Sequence, residues 1–216
     1  MACHQETPVK SCKIILGCAL LFFSTTCIGS EAINRLNKFL TEIDSFQANF
    51  SQTVWDENNK LVQESKGTIA LNRPGEFRWQ YEQPHGQLIL ADGEFLWVYD
   101  PELAQAYTRP ITQALGSVPI MLLTNPRELH EDFRILVMSD KQEFSWLELI
   151  PLIQDTEFNR VRIGLDELGI RRMELYDNFS QKTAIEFTHM IVNVRFPEGY
   201  FDFEAPSGVD VVGYSE

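Results

Sequence analysis

Cysteine is missing from nearly all of this 216-residue chain: Cys3, Cys12, Cys18 and Cys27 all fall within the first 29 residues. Beyond them there is neither a disulfide framework nor a thiol nucleophile. Histidine is scarce as well. His85, His130 and His189 stand in unrelated contexts, without H-x-x-x-H or C-x-x-C spacing for a metal. No G-x-S-x-G elbow occurs, and no G-x-G-x-x-G opens a helix, so neither a covalent hydrolase nor a nucleotide site is indicated. Asp92, Asp100, Asp155, Asp166 and Asp177 lie in turn contexts, where carboxylates cap backbone amides instead of pairing for acid–base work. No enzyme activity, cofactor or metal is expected. Positive charge is also in short supply, 18 Lys and Arg against 31 Asp and Glu, a formal charge of −13. That balance disfavours nucleic acid and passive adsorption to anionic lipid, and leaves basic protein partners open.

Long apolar runs are absent too. Lys10 and Lys13 precede the apolar run Ile14 to Phe23, and Cys27 and Gly29 hold the −3 and −1 positions of a cleavage site before Ser30. Residues 1–29 are read as a secretory signal peptide and residues 30–216 as a single soluble domain. The run is far shorter than the roughly 20 residues a membrane span requires. Ile15-Leu16-Gly17-Cys18 has the look of a lipobox, but cleavage there would strand Ala19 to Phe23, so a lipid anchor is not expected.

What the chain has in quantity is aromatic surface, with 15 Phe, 4 Trp and 6 Tyr. Phe77, Trp79 and Tyr81 alternate with Arg78, Gln80 and Glu82, and after the Asp92-Gly93 turn Phe95, Trp97 and Tyr99 alternate with Leu96 and Val98. Period two predicts strands. Both faces of the second strand are apolar, so one side needs a packed helix and the other needs more core or a lined cavity. Six rings on two nearby strands are expected to share one concave face, although simple core packing would also account for them.

The remaining pattern is coherent. Ile33, Leu36, Leu40 and Ile43 predict an amphipathic helix over Glu31 to Ile43, and strands follow over Phe46 to Val54 and Leu61 to Leu71, with a bulge or bend at Gly67. Ile111 to Leu123, broken by Gly116 and Pro119, predicts short helices that form either a movable cover or an ordinary crossover. A meander of strands occupies Phe133 to Val192, Phe201-Asp202-Phe203 is expected to end the series, and Pro206 to Val212 to be an extended tail. A heavily curved antiparallel sheet is the expected architecture.

Phe50-x-Gln52, Arg73-Pro74-Gly75-x-Phe77-Arg78-Trp79, Gln87-Leu88-Ile89, Asp92-Gly93-x-x-x-Trp97-x-Tyr99-Asp100-Pro101 and Gly116-Ser117-Val118-Pro119 appear in that order. Met173-x-Leu175-x-Asp177 and Pro206-x-Gly208-Val209-Asp210-Val211 follow. Through these blocks nearly all of residues 30–216 resembles the periplasmic outer-membrane lipoprotein carriers, the LolA family. Ser180 departs from the Gly common before Gln181, and the 116–119 block lacks the Asn-Thr pair of many relatives.

The resemblance implies a mainly β fold: a strongly curved, incomplete antiparallel β-barrel with helices forming a lid over an apolar cavity. It implies a periplasmic chaperone that takes acylated lipoproteins from an inner-membrane ABC-type release complex and delivers them to an outer-membrane lipoprotein receptor. Arg73 would close the lid, and Phe77, Trp79, Leu88, Leu90, Trp97, Ile120 and Leu123 would line the apolar pocket. A monomer without nucleic-acid partners is expected. Two other possibilities stand beside it: a lipid-anchored receptor of the same fold, and a secreted peptide-binding envelope sensor or scaffold.

Overall fold

The computed structural model describes residues 28–113, 124, 129–138, 143–152 and 156–213, together with Met1. Helix α1 (Ile28–Glu42) forms where the apolar spacing demands it: Ala32, Leu36, Phe39 and Leu40 are buried along one stripe, while Glu31 and Arg35 pair across one turn at 2.8 Å along its border. Six strands follow: β1 (Ser45–Trp55), β2 (Leu61–Asn72), β3 (Glu76–Gln83), β4 (Gln87–Asp92), β5 (Phe95–Asp100) and β6 (Gln105–Pro110). A 3₁₀ turn (Ile111–Gln113) and the one-turn helix α2 (Leu129–Asp132) precede β7 (Phe133–Val137), β8 (Ser145–Pro151), β9 (Phe158–Asp166), β10 (Gly169–Asp177) and β11 (Lys182–Val192). The last strand is β12 (Asp210–Gly213).

All twelve strands belong to one sheet, in the order β12-β6-β5-β4-β3-β2-β1-β11-β10-β9-β8-β7. This corrects the expected strongly curved, incomplete antiparallel barrel under a helical lid. The sheet is open, with β12 and β7 as its edges, and it is mixed, because β12 runs parallel to β6. Closure would require β7 to reach β6. Among the described residues β7 pairs only with β8, and the strand that covers β6 is β12. Among the described residues α1 is the one helix longer than a single turn, and it packs over β7 to β10 as a core helix. The cover expected over Ile111 to Leu123 falls largely on residues 114–123, outside the described residues.

Local chemistry sets the turns. Asp92, Asp100, Asp166 and Asp177 each accept backbone N–H bonds from residues two to four positions on, which is the capping role their contexts predict; Asp56 does the same, and Asp155 lies outside the described residues. Ser180 has φ of +64°, the left-handed region that glycine tolerates best. At Gly67 the reason for glycine is proximity: an added Cβ would run into the Gln80 carbonyl oxygen and come within 2.9 Å of the Phe50 ring. The β2–β3 register shifts there, as a bulge requires.

The two sheet faces have different partners. On the inner face, Phe46, Phe50, Ile69, Leu71, Phe77, Trp79, Leu147, Val161, Ile163, Met173 and Phe187 join α1 in one buried core. Each such side chain is worth about 1.5–3 kcal/mol of transfer free energy. On the outer face, residues 193–209 cross the β3–β6 half of the sheet before β12 pairs. Phe201-Asp202-Phe203 lies in this crossing segment and is not a strand, because its rings are satisfied by stacking on side chains and not by pairing with an edge.

Candidate functional site

The pleat decides which aromatic residues can act together. Phe77, Trp79 and Tyr81 of β3 are registered against Ala91, Ile89 and Gln87 of β4, and Ala91 and Ile89 against Leu96 and Val98 of β5. These side chains therefore share the inner face. Leu88 and Leu90 pair with Tyr99 and Trp97, which places all four on the outer face. The six rings do not converge.

On the inner face Trp79 is the centre of an aromatic patch. Its ring lies 4.5 Å from Phe50, 6.1 Å from Tyr81 and 6.2 Å from Phe187, and Phe50 meets Tyr81 edge-on at 5.2 Å. Tyr81 donates from its hydroxyl to Gln52 Oε1 at 3.1 Å, and burial pushes its phenol up against the opposing effects of its contacts with Gln52 and Trp79. The Trp79 indole Nε1 is buried close to the Tyr81 side chain and makes no hydrogen bond of good geometry among the described residues. A buried donor left unpaired costs about 1–3 kcal/mol, so the patch holds one unmet polar demand within apolar surroundings.

On the outer face Trp97 stacks on Phe203 at 4.9 Å, and Tyr99 meets the same ring at 5.7 Å. Trp97 donates from Nε1 to Asp92 Oδ2 at 3.0 Å, so its polar atom is satisfied. Leu88 and Leu90 are buried beside it. Of the seven apolar candidates, the structure thus joins Phe77 with Trp79, and Leu88 with Leu90 and Trp97, on opposite sides. Ile120 and Leu123 lie outside the described residues.

Arg73 sits at the corner between β2 and β3, against the end of α1. It donates from one terminal nitrogen to the carbonyl oxygens of Phe39, at 3.3 Å, and of Ile43, and its guanidinium lies 5.0 Å from the Phe39 ring centroid. Its own N–H bonds the Asp44 carbonyl at 2.8 Å. Burial lowers the guanidinium to about 10, and the charge of Asp44 opposes that shift. A cation at the last carbonyls of a helix complements the negative end of its dipole. Asn193 completes the grip, donating to Glu42 O at 3.2 Å and accepting from the Asp44 N–H at 3.0 Å.

The outer face of β8 to β11 is a charge ladder. Arg162 bonds Glu148 at 2.8 Å, Lys182 bonds Glu174 at 2.9 Å, and Tyr176 donates to Glu174 at 2.9 Å. Burial alone would raise the Glu174 carboxyl, but the bonds from Lys182 and Tyr176 and the charges of Lys182 and Arg162 outweigh it and hold it low. Among the described residues no group of three or more His, Cys, Asp and Glu side chains is placed to hold a metal ion.

Comparison with known proteins decides the family. Residues 41–204 match the family model for the outer membrane lipoprotein carrier protein LolA. An outer-membrane lipoprotein carrier protein of Nitrosospira multiformis is 40% identical over 194 residues, spanning 89% of this chain and 93% of that protein. This chain belongs to the LolA family. The LolA-family carrier of Nitrosomonas europaea is 39% identical over 186 residues, covering 86% of this chain and 90% of that one. Among solved structures, an uncharacterized conserved protein of Thermus thermophilus aligns with a TM-score of 0.57 at 12% identity. It covers 86% of this chain and 99% of the other, a likeness of fold alone.

LolA-family carriers are periplasmic and non-catalytic, and this member is accordingly a periplasmic protein of lipoprotein handling, not an enzyme. The residues that sequence patterning missed are the neighbours of Trp79 from distant strands, Phe50 and Phe187, which join Tyr81 around it. The Phe50-x-Gln52 block marks one of them, and Gln52 holds the hydroxyl of Tyr81. The unmet indole N–H could not be foreseen from any motif.

Proposed function

We propose that this chain carries lipoproteins through the periplasm by sheltering their acyl chains against the inner-face aromatic patch at Trp79, and delivers them to a receptor at the outer membrane. The observation that carries this reading is the buried Trp79 N–H, without a hydrogen bond of good geometry among the described residues, within an apolar ring cluster in a chain of the LolA family. An acyl chain is attached through an ester or amide carbonyl. Such a carbonyl accepts one hydrogen bond at the head of an otherwise apolar ligand, which is the combination the patch requires.

The energetics need a carrier. Each CH₂ taken out of water is worth about 0.8 kcal/mol, so a lipid-modified polypeptide does not leave one membrane for another unaided. Residues 1–29 would direct export, and α1 begins at Ile28, so cleavage before Ser30 leaves almost all of that helix. Loading energy would come from an ATP-driven release complex in the inner membrane. Arg73 and Asn193, which hold the end of α1 to the sheet, would set how readily the seat yields to cargo.

The test is recovery of the chain from a periplasmic extract, followed by mass spectrometry of what it holds. Acylated lipoprotein bound in one-to-one ratio is expected, with the complex lost in Trp79→Ala. Absence of any acylated cargo under conditions of active lipoprotein release would overturn the reading.

A further inference from the structure

We propose that a second site, on the outer face, binds the carboxyl terminus of a peptide, with Arg78 as the partner of its carboxylate. The site is a cleft of about 390 Å³ lined by Gln47, Asn49, Thr68, Arg78, Gln80, His189 and Tyr200. Its size falls within the roughly 300–1,000 Å³ range of small-ligand sites. It does not depend on the acyl-carrier reading, because the register places it on the side of the sheet opposite Trp79.

Three independent features point to a ligand. In a chain with 31 carboxylates and 18 Lys and Arg, none of the cleft's lining residues is acidic. Local charge is therefore opposite in sign to that of the whole molecule. Second, Arg78 makes neither an ion pair nor a hydrogen bond among the described residues. Its guanidinium lies 5.8 Å from the Tyr200 ring centroid, a contact through the ring face that uses none of its N–H fork. Third, β11 is bulged here. The β1–β11 register shifts between Gln47 and Asn49, and His189 takes φ of +53°, sparsely populated for a residue with a side chain. Bulges re-aim side chains, and this one brings His189 Nδ1 to 3.5 Å from Asn49 Nδ2 at the cleft wall.

The chemistry selects the ligand. One guanidinium matches the single charge of a carboxylate and can grip it with two parallel N–H bonds. The amides of Gln47, Asn49 and Gln80 and the hydroxyl of Thr68 present donors and acceptors without charge, the complement of peptide N–H and C=O groups. The Tyr200 ring, 36% exposed, supplies a flat wall for a small side chain.

The probe is N-acetyl-tetraalanine, as the free acid and as the carboxamide, titrated calorimetrically into the mature chain. Saturable binding of the acid is expected, weakened about tenfold or more in the carboxamide and in Arg78→Gln, as loss of a charge-assisted hydrogen bond implies. Arg78→Lys, which keeps charge and loses the fork, falls between. His189→Gly should also weaken binding by relaxing the bulge. Acylated cargo should load normally onto Arg78→Gln, so failure of this proposal and failure of the acyl-carrier reading are separable. Equal affinity for acid and carboxamide, no saturable binding of either, or competition by inorganic phosphate in place of peptide binding would each overturn it.

Discussion

Trp79 and Trp97 stand on either side of β4 yet face opposite sides of the sheet, because Trp79 is registered against Ile89 and Trp97 against the next residue, Leu90. Their indole nitrogens differ accordingly, one without a hydrogen bond of good geometry among the described residues and the other bonded to Asp92. A brominated acyl chain bound to the carrier should therefore quench Trp79 and spare Trp97. Fluorescence of variants that retain one of the two, with the remaining tryptophans replaced by Phe, checks this. Equal quenching would move the acyl seat away from the inner face.

Arg73→Leu removes the donors that hold the Phe39 and Ile43 carbonyls while keeping apolar bulk against the Phe39 ring. A stability loss of about 1–3 kcal/mol is expected, concentrated in faster amide exchange at the end of α1. Cargo loading should persist, and handover to the receptor should fall. A two-step assay with membrane vesicles separates these: an equal defect in both steps, or in neither, would leave Arg73 as a helix cap alone.

Gly67→Ala should be among the most damaging single changes in the sheet. The new Cβ would collide with backbone at the Gln80 carbonyl oxygen as well as with the Phe50 ring, so strands β2 and β3 must separate locally. A loss of about 3 kcal/mol or more in urea unfolding is expected. An unchanged midpoint would mean that the bulge relaxes freely.

Glu174 gives the charge ladder a pH signature. Its carboxyl is held below the usual range in the folded state, so its stabilisation is fully present above the unfolded value near 4.5 and is lost as pH falls through the lower, folded value. Urea midpoints between pH 6 and pH 3 should fall less steeply for Glu174→Gln than for the unaltered chain. Identical slopes would show that Lys182, Tyr176 and Arg162 do not stabilise the ionised form.

Much of the strand layout was legible because half-buried strands must alternate, and the turn aspartates were legible because Asx capping is local. Gly67 stood out because a glycine inside a strand pattern marks a bulge or a close approach. The union of Phe77-x-Trp79-x-Tyr81 with Phe95-x-Trp97-x-Tyr99 failed on a non-local quantity: register across β4 fixes which face each triplet takes, and a shift of one residue reverses it. Openness of the sheet was equally hidden. Whether β7 meets β6 or leaves it to β12 depends on the path of the connection between them, and no period in the strands encodes that path. The F-x-F of residues 201–203 carried a strand signal, but its rings serve a crossing segment whose target, Trp97, is distant in sequence.

The position of β1 in mid-sheet has a kinetic consequence. Strands β1 to β6 form one wing of successive hairpin neighbours and β7 to β11 another, and the wings meet along the single ladder that pairs residues such as Gln52 and Ile185. Each wing can zip from local contacts as it emerges from the export channel, whereas the seam between them must wait until β11 has crossed. Closing that long loop carries the entropic cost that slows non-local pairing, so the seam is the expected rate-limiting step of folding. Until it forms, β1 presents a bare edge beside Phe50, and a newly exported chain is most exposed to misassembly with its own copies in that interval.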